Sequence, residues 1–266
     1  MTPLGDEDNE NNPNYYPKGP DTRKKIIDWT LRKPTDVTVT VTDNTNNPVP
    51  DYPFTLGEFV RPNSGGHDHG DNRPTGKFIT PAHDTVASFQ GTTNSDGKAT
   101  CTYICSGFGG VDSIFVRGKT DRDTSSTTIL LQFPGLQELT EGDHYELIGA
   151  HSQGATSEHE KNHYGTSKLV SVLKELADTV YSEDEYELRF NDMSLVNGGP
   201  FDIWNNWDTP HQDHREGVSA DVGNQILHSN GGLYPLTEDQ LKRWLRLVSK
   251  KPNVGSEPGH YHVTIR

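Results

Sequence analysis

Long apolar runs are missing from these 266 residues, and so is any surplus of basic charge. Apolar types make up 30% of the chain and mean hydropathy is -0.79. No stretch approaches the roughly 18 consecutive apolar residues of a membrane-crossing helix, so no transmembrane segment is expected. Lys and Arg number 24 against 38 Asp and Glu, a formal net charge of -14. That field repels phosphate backbones and anionic lipid surfaces, so nucleic acid is not expected as a partner. The opening "MTPLGDEDNENNPNYYP" lacks the basic and apolar regions of a signal peptide, so the chain is either intracellular or has lost a leader. Cysteine is scarce: Cys101 and Cys105 are the only two. On one strand they would face the same side about 13 Å apart, beyond the roughly 7 Å Cα limit for a disulfide, so both are expected as small core residues. No internal repeat is evident, and nothing in the sequence sets an oligomeric state.

What is abundant is turn chemistry, with 26 Gly and 17 Pro. At this length the chain is long enough for two domains. Residues 1–33 are acidic, rich in Asn and Pro, and without apolar periodicity, which reads as a tail or linker. Residues 34–135 read as β: "VTVTVTD" alternates strictly, "NTNNPVPDYP" is a turn cluster, "NSDGKATCTYI" turns at Asp96-Gly97 into a strand, and "DSIFVRG" and "STTILLQF" follow. Short strands separated by turn clusters imply an all-β sandwich. The stretches "VTVTVTDNTNNPVPDYPFTL" and "TTNSDGKATCTYICSGFGGVDSIFV" resemble bacterial Ig-like domains of the invasin and intimin type. That resemblance implies a spacer or presenting module rather than an activity.

From residue 136 to 266 the rhythm changes to α+β. Leu169, Val172, Leu173, Leu176 and Val180 recur at helical spacing over 166–181, with Thr166 or Ser167 able to cap the start. A second helix is expected over 237–249. There Thr237 and Gln240 form a capping-box pattern, and Leu241, Trp244, Leu245 and Val248 line one face. "YELRFNDMSL" reads as a strand, and the whole as a domain with a small antiparallel sheet carrying a zinc site.

Two histidine patterns draw attention and are set aside. "HEKNH" fits the helical HExxH signature, with His159 and His163 as ligands and Glu160 as base. Its flanks, "ATSE" and "YGTS", lack the apolar face such a helix needs, and Gly165 would stop it at once, so the match reads as coincidence. "GGHDHG" holds His67 and His69 in a Gly-rich loop that reads as solvated, with an adventitious or structural metal as the other reading.

The metal chemistry is expected elsewhere. Nine of the twelve histidines fall between residues 144 and 262. In "HQDHREGVSAD", His211 precedes His214 by three and Asp221 follows by seven; in the terminal "HYH", His260 and His262 share one face of a strand. A His and an Asp from one hairpin plus a His from a neighbouring strand supply three ligands, leaving the fourth zinc position open, as catalytic zinc requires. "NDMSLVNGGPFDIWNNWDTPHQDHREGVSADV" together with "GHYHVTIR" resembles the penicillin-insensitive murein endopeptidases and the wider lysostaphin-like and D-Ala-D-Ala metallopeptidases, marked by H-x6-D and a late H-x-H. The resemblance implies Zn2+ held by His214, Asp221 and His262. It gives His260 a role in proton transfer or oxyanion stabilisation, and makes His211 a further cleft histidine. A second register remains open, in which Glu257 is the base and His260 the ligand; the first is favoured because "HVTIR" continues the strand beyond His262. Arg189, Asp192 and His163 are candidates for holding substrate. The implied activity is hydrolysis of amide bonds in peptidoglycan peptide crosslinks, and the implied location is extracytoplasmic: periplasm, cell envelope or secreted. Two other readings stand beside it: a cell-surface adhesin or wall-binding module with an inactive peptidase-like domain, and a metallopeptidase acting on a non-murein peptide.

Overall fold

A computed structural model of the chain describes residues 16–18, 25–28, 34–70, 72–120, 123–149, 159, 161–202, 207 and 212–266. The chain packs as two compact units, Met1–Pro62 with Asp71–Leu131, and Asn63–Gly70 with Gln132–Arg266. Residues 63–70, read from sequence as part of the β region, therefore pack with the second unit.

Among the described residues, the first unit contains ten strands: β1 (Tyr16–Lys18), β2 (Lys25–Asp28), β3 (Thr35–Thr42), β4 (Pro53–Val60), β5 (Lys77–Ile79), β6 (Thr85–Val86), β7 (Phe89–Thr92), β8 (Lys98–Ile104), β9 (Gly110–Arg117) and β10 (Thr124–Gln132). They form two five-stranded sheets in the orders β1-β3-β8-β5-β6 and β2-β10-β9-β4-β7. Alternation explains the sandwich. Val37, Val39 and Val41 of β3, Phe54 and Leu56 of β4, Ile114 and Val116 of β9, and Ile129 and Leu131 of β10 all turn into one shared core. Cys101 and Cys105 are buried and unbridged.

Beside that core lies a buried polar knot. Arg73 is an ion-pair partner of Asp112 and donates to the carbonyls of Phe108, Gly109 and Val111, while Tyr103 donates to Glu58 Oε1 at 2.7 Å. Burial, reinforced by Asp112, pushes the Glu58 carboxyl up to about 8, so it stays protonated at neutral pH.

The second unit contains β11 (Leu136–Glu138), β12 (Tyr145–Leu147), β13 (Tyr164–Thr166), α1 (Ser167–Asp184), β14 (Tyr186–Phe190), a 3-10 turn (Gln212–Glu216), β15 (Ser219–Gly223), β16 (Gln225–His228), β17 (Leu233–Pro235), α2 (Glu238–Val248), β18 (Asn253–Glu257) and β19 (His260–Thr264). Both helices start where their caps dictate: Thr166 accepts from Leu169 N–H, and Thr237 with Gln240 completes a capping box. The sheet differs from the small antiparallel one expected. It has seven strands in the order β17-β16-β14-β15-β19-β18, with β12 added parallel to β14. A parallel pair needs a crossover, and the chain between β12 and β14 includes α1.

One face of that sheet is core. Ala220, Val222 and Val263 cluster with Leu169, Leu173, Leu176 and Val180 of α1 and with Leu241, Trp244 and Leu245 of α2. A fully buried aliphatic side chain contributes about 1.5–3 kcal/mol, so this apolar face fixes the strand register. The intervening residues of β15 and β19 must then face the other way. Among the described residues, no helix is long and apolar enough to cross a membrane.

The protonated Glu58 carries a pH signature. Because its folded value lies near 8 against an ordinary 4.5, the unfolded chain ionises it first, and stability falls as pH rises across that window. Glu58→Gln keeps the side chain neutral at every pH. Urea unfolding at pH 5 and pH 8 is expected to show a smaller loss of stability in the variant than in the wild type; equal losses contradict the assignment.

Candidate metal centre

The pairing of β15 with β19 sets the site. Asp221 lies directly opposite His262 and Gly223 opposite His260, while Ala220 and Val222 face Val263 and Tyr261 in the core. Three polar side chains, Asp221, His260 and His262, are thus delivered to one face by strand alternation alone. His214 arrives from the 3-10 turn, which Gly217 closes by donating its N–H to the His214 carbonyl at 3.1 Å. Gly217 has φ of 65°, and a Cβ there would stand 2.4 Å from Leu136 Cδ2 and 3.0 Å from Gly165 Cα. Its own carbonyl accepts from Thr166 N–H at 2.7 Å, which ties the turn to the start of α1.

The result is a convergent donor set. Ligand atoms of His214, Asp221 and His262 all lie within 4.8 Å of one another. His262 Nδ1 stands 2.9 Å from Asp221 Oδ1, and His214 Nε2 stands 3.4 Å from Asp221 Oδ2. His260 Nε2 is 3.3 Å from the same Oδ2 and 3.4 Å from Glu257 Oε2 on the neighbouring strand β18. Asp221 is fully buried, yet its Oδ2 makes no hydrogen bond. A buried carboxylate oxygen aimed among imidazoles without a hydrogen bond is the environment a divalent cation completes. Two imidazoles and one carboxylate suit Zn2+, with an open fourth position.

Electrostatics point the same way. Burial alone would raise the Asp221 carboxyl, but His214, His262 and the charge of His260 hold it well below the ordinary carboxylate range. Burial alone would lower His214, but Asp221, with Asp192 behind it, raises it instead. Burial and then the Asp221 charge push Asp192 up to about 7.

The remaining candidates are placed as follows. Asp192 is buried; its carbonyl accepts the Asp221 N–H at 2.8 Å and its Oδ1 accepts from Asn162 Nδ2 at 2.8 Å, so it supports the cluster from beneath. Arg189 donates from Nε to Glu146 Oε2 at 2.7 Å, and its guanidinium is engaged across the β12–β14 pair. His163 is buried and its Nε2 donates to the Ile148 carbonyl at 2.9 Å. His211 and Glu160 lie outside the described residues.

Of the two histidine patterns set aside, the first reads in the structure as it does in the sequence, and the second needs correction. Residues 161–163 are not helical, so "HEKNH" is no HExxH helix, and His163 does not join His159 on a metal. His159 is nonetheless fully buried beside His67, His69 and Asp202, and the "GGHDHG" segment is not solvated: His67 is only 1% exposed. Sequence reasoning missed Asp202 and Asn162 entirely. Each is a single polar residue in a loop-like stretch, and only the tertiary fold gives it partners.

No protein-family model and no curated protein matches the chain. Among solved structures it is similar to the Yersinia pseudotuberculosis adhesin InvE, at 14% identity and a TM-score of 0.32, covering 45% of this chain and 32% of that one. It is also similar to domains 4 and 5 of the S-layer protein SbsC, at 11% identity and a TM-score of 0.27, covering 45% and 46%. A conjugate transposon protein from Bacteroides vulgatus aligns at 10% identity and a TM-score of 0.28, covering 53% and 98%. The chain spans less than half the length of the first two.

The turn that delivers His214 is directly testable. Gly217→Ala forces a side chain against Leu136 and the Gly165 backbone, and overpacking of this kind costs about 1–3 kcal/mol. Thermal unfolding is expected to show that loss together with weaker zinc binding. Unchanged stability and affinity contradict the assigned role of the turn.

Proposed function

We propose that the second unit is a zinc-dependent amide hydrolase that acts on the peptide crosslinks of peptidoglycan. The observation that carries the proposal is the convergence of His214, Asp221 and His262 with His260 and Glu257 alongside. When bound, zinc supplies a Lewis acid toward an amide carbonyl and toward water. The chain's own residues do the rest. Asp221, His214 and His262 fix the donor geometry, and Asp192 and Asn162 hold the Asp221 strand in place. His260, 17% exposed on its side chain, places Nε2 3.3 Å from Asp221 Oδ2. It can take a proton from the attacking water as the C–O bond forms and return it to the departing amine nitrogen as the C–N bond breaks, while Glu257, half exposed, orients the ring or serves as the base in its place. The peptidoglycan substrate and an extracytoplasmic location rest on the sequence resemblance to the murein endopeptidases. The β sandwich then serves as a presenting module at the cell surface or wall.

A second reading, a surface or wall-associated binding module whose second unit has no activity, is favoured by the sandwich of two five-stranded sheets and its resemblance to invasin-type domains. Digestion of purified peptidoglycan separates the two, with new termini identified by mass spectrometry. Wild type is expected to release fragments. His260→Ala is expected to release them about 10²–10⁴-fold more slowly with its zinc content intact, and His262→Ala is expected to lose both zinc and activity. If zinc-loaded wild type releases nothing from the wall yet cleaves small peptides, the substrate is not murein. If it cleaves neither, the binding module remains.

A further inference from the structure

We propose that His67, His69, His159 and Asp202 form a second, closed zinc site whose role is structural. All four ligand atoms lie within 4.8 Å of one another. His67 Nδ1, His69 Nε2 and His159 Nε2 stand 3.1, 3.3 and 3.1 Å from a single oxygen, Asp202 Oδ1. Tetrahedral zinc with bonds of roughly 2.0–2.1 Å separates its ligand atoms by about 3.3 Å. Three nitrogens and one carboxylate oxygen complete four-fold coordination from the protein alone, the mark of a structural rather than a catalytic ion.

Protein hydrogen bonding does not account for this arrangement. One carboxylate oxygen offers two lone pairs, so three imidazole N–H groups exceed what it can accept, and any nitrogen presenting its own lone pair there is repelled. Neither ring nitrogen of His69, whose side chain is 4% exposed, makes a hydrogen bond, and neither does Nδ1 of the fully buried His159. Buried polar atoms of this kind need a partner, and a cation at the centre of the four residues supplies it.

The surroundings are those of a dry, pre-oriented site. Trp207 donates its backbone N–H to Asp202 Oδ2 at 2.7 Å, fixing the carboxylate from its outer side. The Trp207 ring lies 4.4 Å from that of His69 and 5.0 Å from that of His67, and Phe201 lies 4.9 Å from His159. Phe201 also borders His214, with ring centroids 6.5 Å apart, so the closed site supports one wall of the open one. His67 and Asp202 are 135 positions apart in sequence. A metal between them fastens segment 63–70 into the second unit, where Gly66, at φ of 91°, already passes so close that a Cβ would sit 3.3 Å from Leu195 Cβ and the Lys161 carbonyl.

Counting zinc per full-length chain after zinc-replete purification tests the proposal. His69→Gln is expected to hold one equivalent fewer than wild type, and the His214→Ala/His262→Ala double variant is expected to retain one. A His69→Gln protein with the wild-type count, or a double variant folded by circular dichroism yet free of zinc, overturns the second site. If neither variant folds, Co2+ titration of the wild type decides. Two equivalents are expected, one of them with the intense visible absorption of a tetrahedral ion, and one or none overturns it.

Discussion

A buried ionised carboxylate is expensive unless opposite charge reaches it, and Asp221 is fully buried with its ionised form strongly favoured. That one constraint organises the second unit. Strand alternation on β15 puts Asp221 on the face opposite the apolar core, and the pairing with β19 brings His262 directly across. The core residues on the other face hold that register, because a slip by one residue would turn Ala220 and Val263 outward and Asp221 inward. His214 then has only to be delivered from the side, which Gly217 permits. The site is a consequence of sheet geometry, with a single turn added.

The same physics recurs at Asp202, where one carboxylate oxygen gathers three imidazoles. The two clusters differ in completeness. Around Asp202 the protein offers four candidate ligands, with the Trp207 and Phe201 rings packed against them. Around Asp221 three ligands converge beside His260 and Glu257, which remain partly accessible. A closed site suits structure, and a site with one position left open suits chemistry.

Much of this was legible in the sequence because it rests on short periods. Strict alternation in "VTVTVTD" and "HYHVT" marked strands, and the Leu169 to Val180 spacing marked α1. The Thr237 capping box marked the start of α2, and the H-x6-D and H-x-H spacings brought out His214, Asp221 and His262 before any coordinates. What was not legible depends on contacts distant in sequence. The parallel pairing of β12 with β14 leaves no local pattern. Asp202 and Asn162 carry no motif, and His67 and His69 sit among glycines that look solvated until the fold closes over them. "HEKNH" misleads in both directions: its helical spacing means nothing here, since His163 donates to a carbonyl, whereas His159 alone is drawn into a cluster with residues 92 and 43 positions away.

Anomalous diffraction at the zinc edge, from crystals of the full chain grown with zinc, tests the metal centre most directly. The expected result is a peak bounded by the His214, Asp221 and His262 side chains, with His260 beside it and off the metal. Well-ordered density for those side chains with no anomalous peak among them would contradict the centre on which the proposed hydrolysis depends.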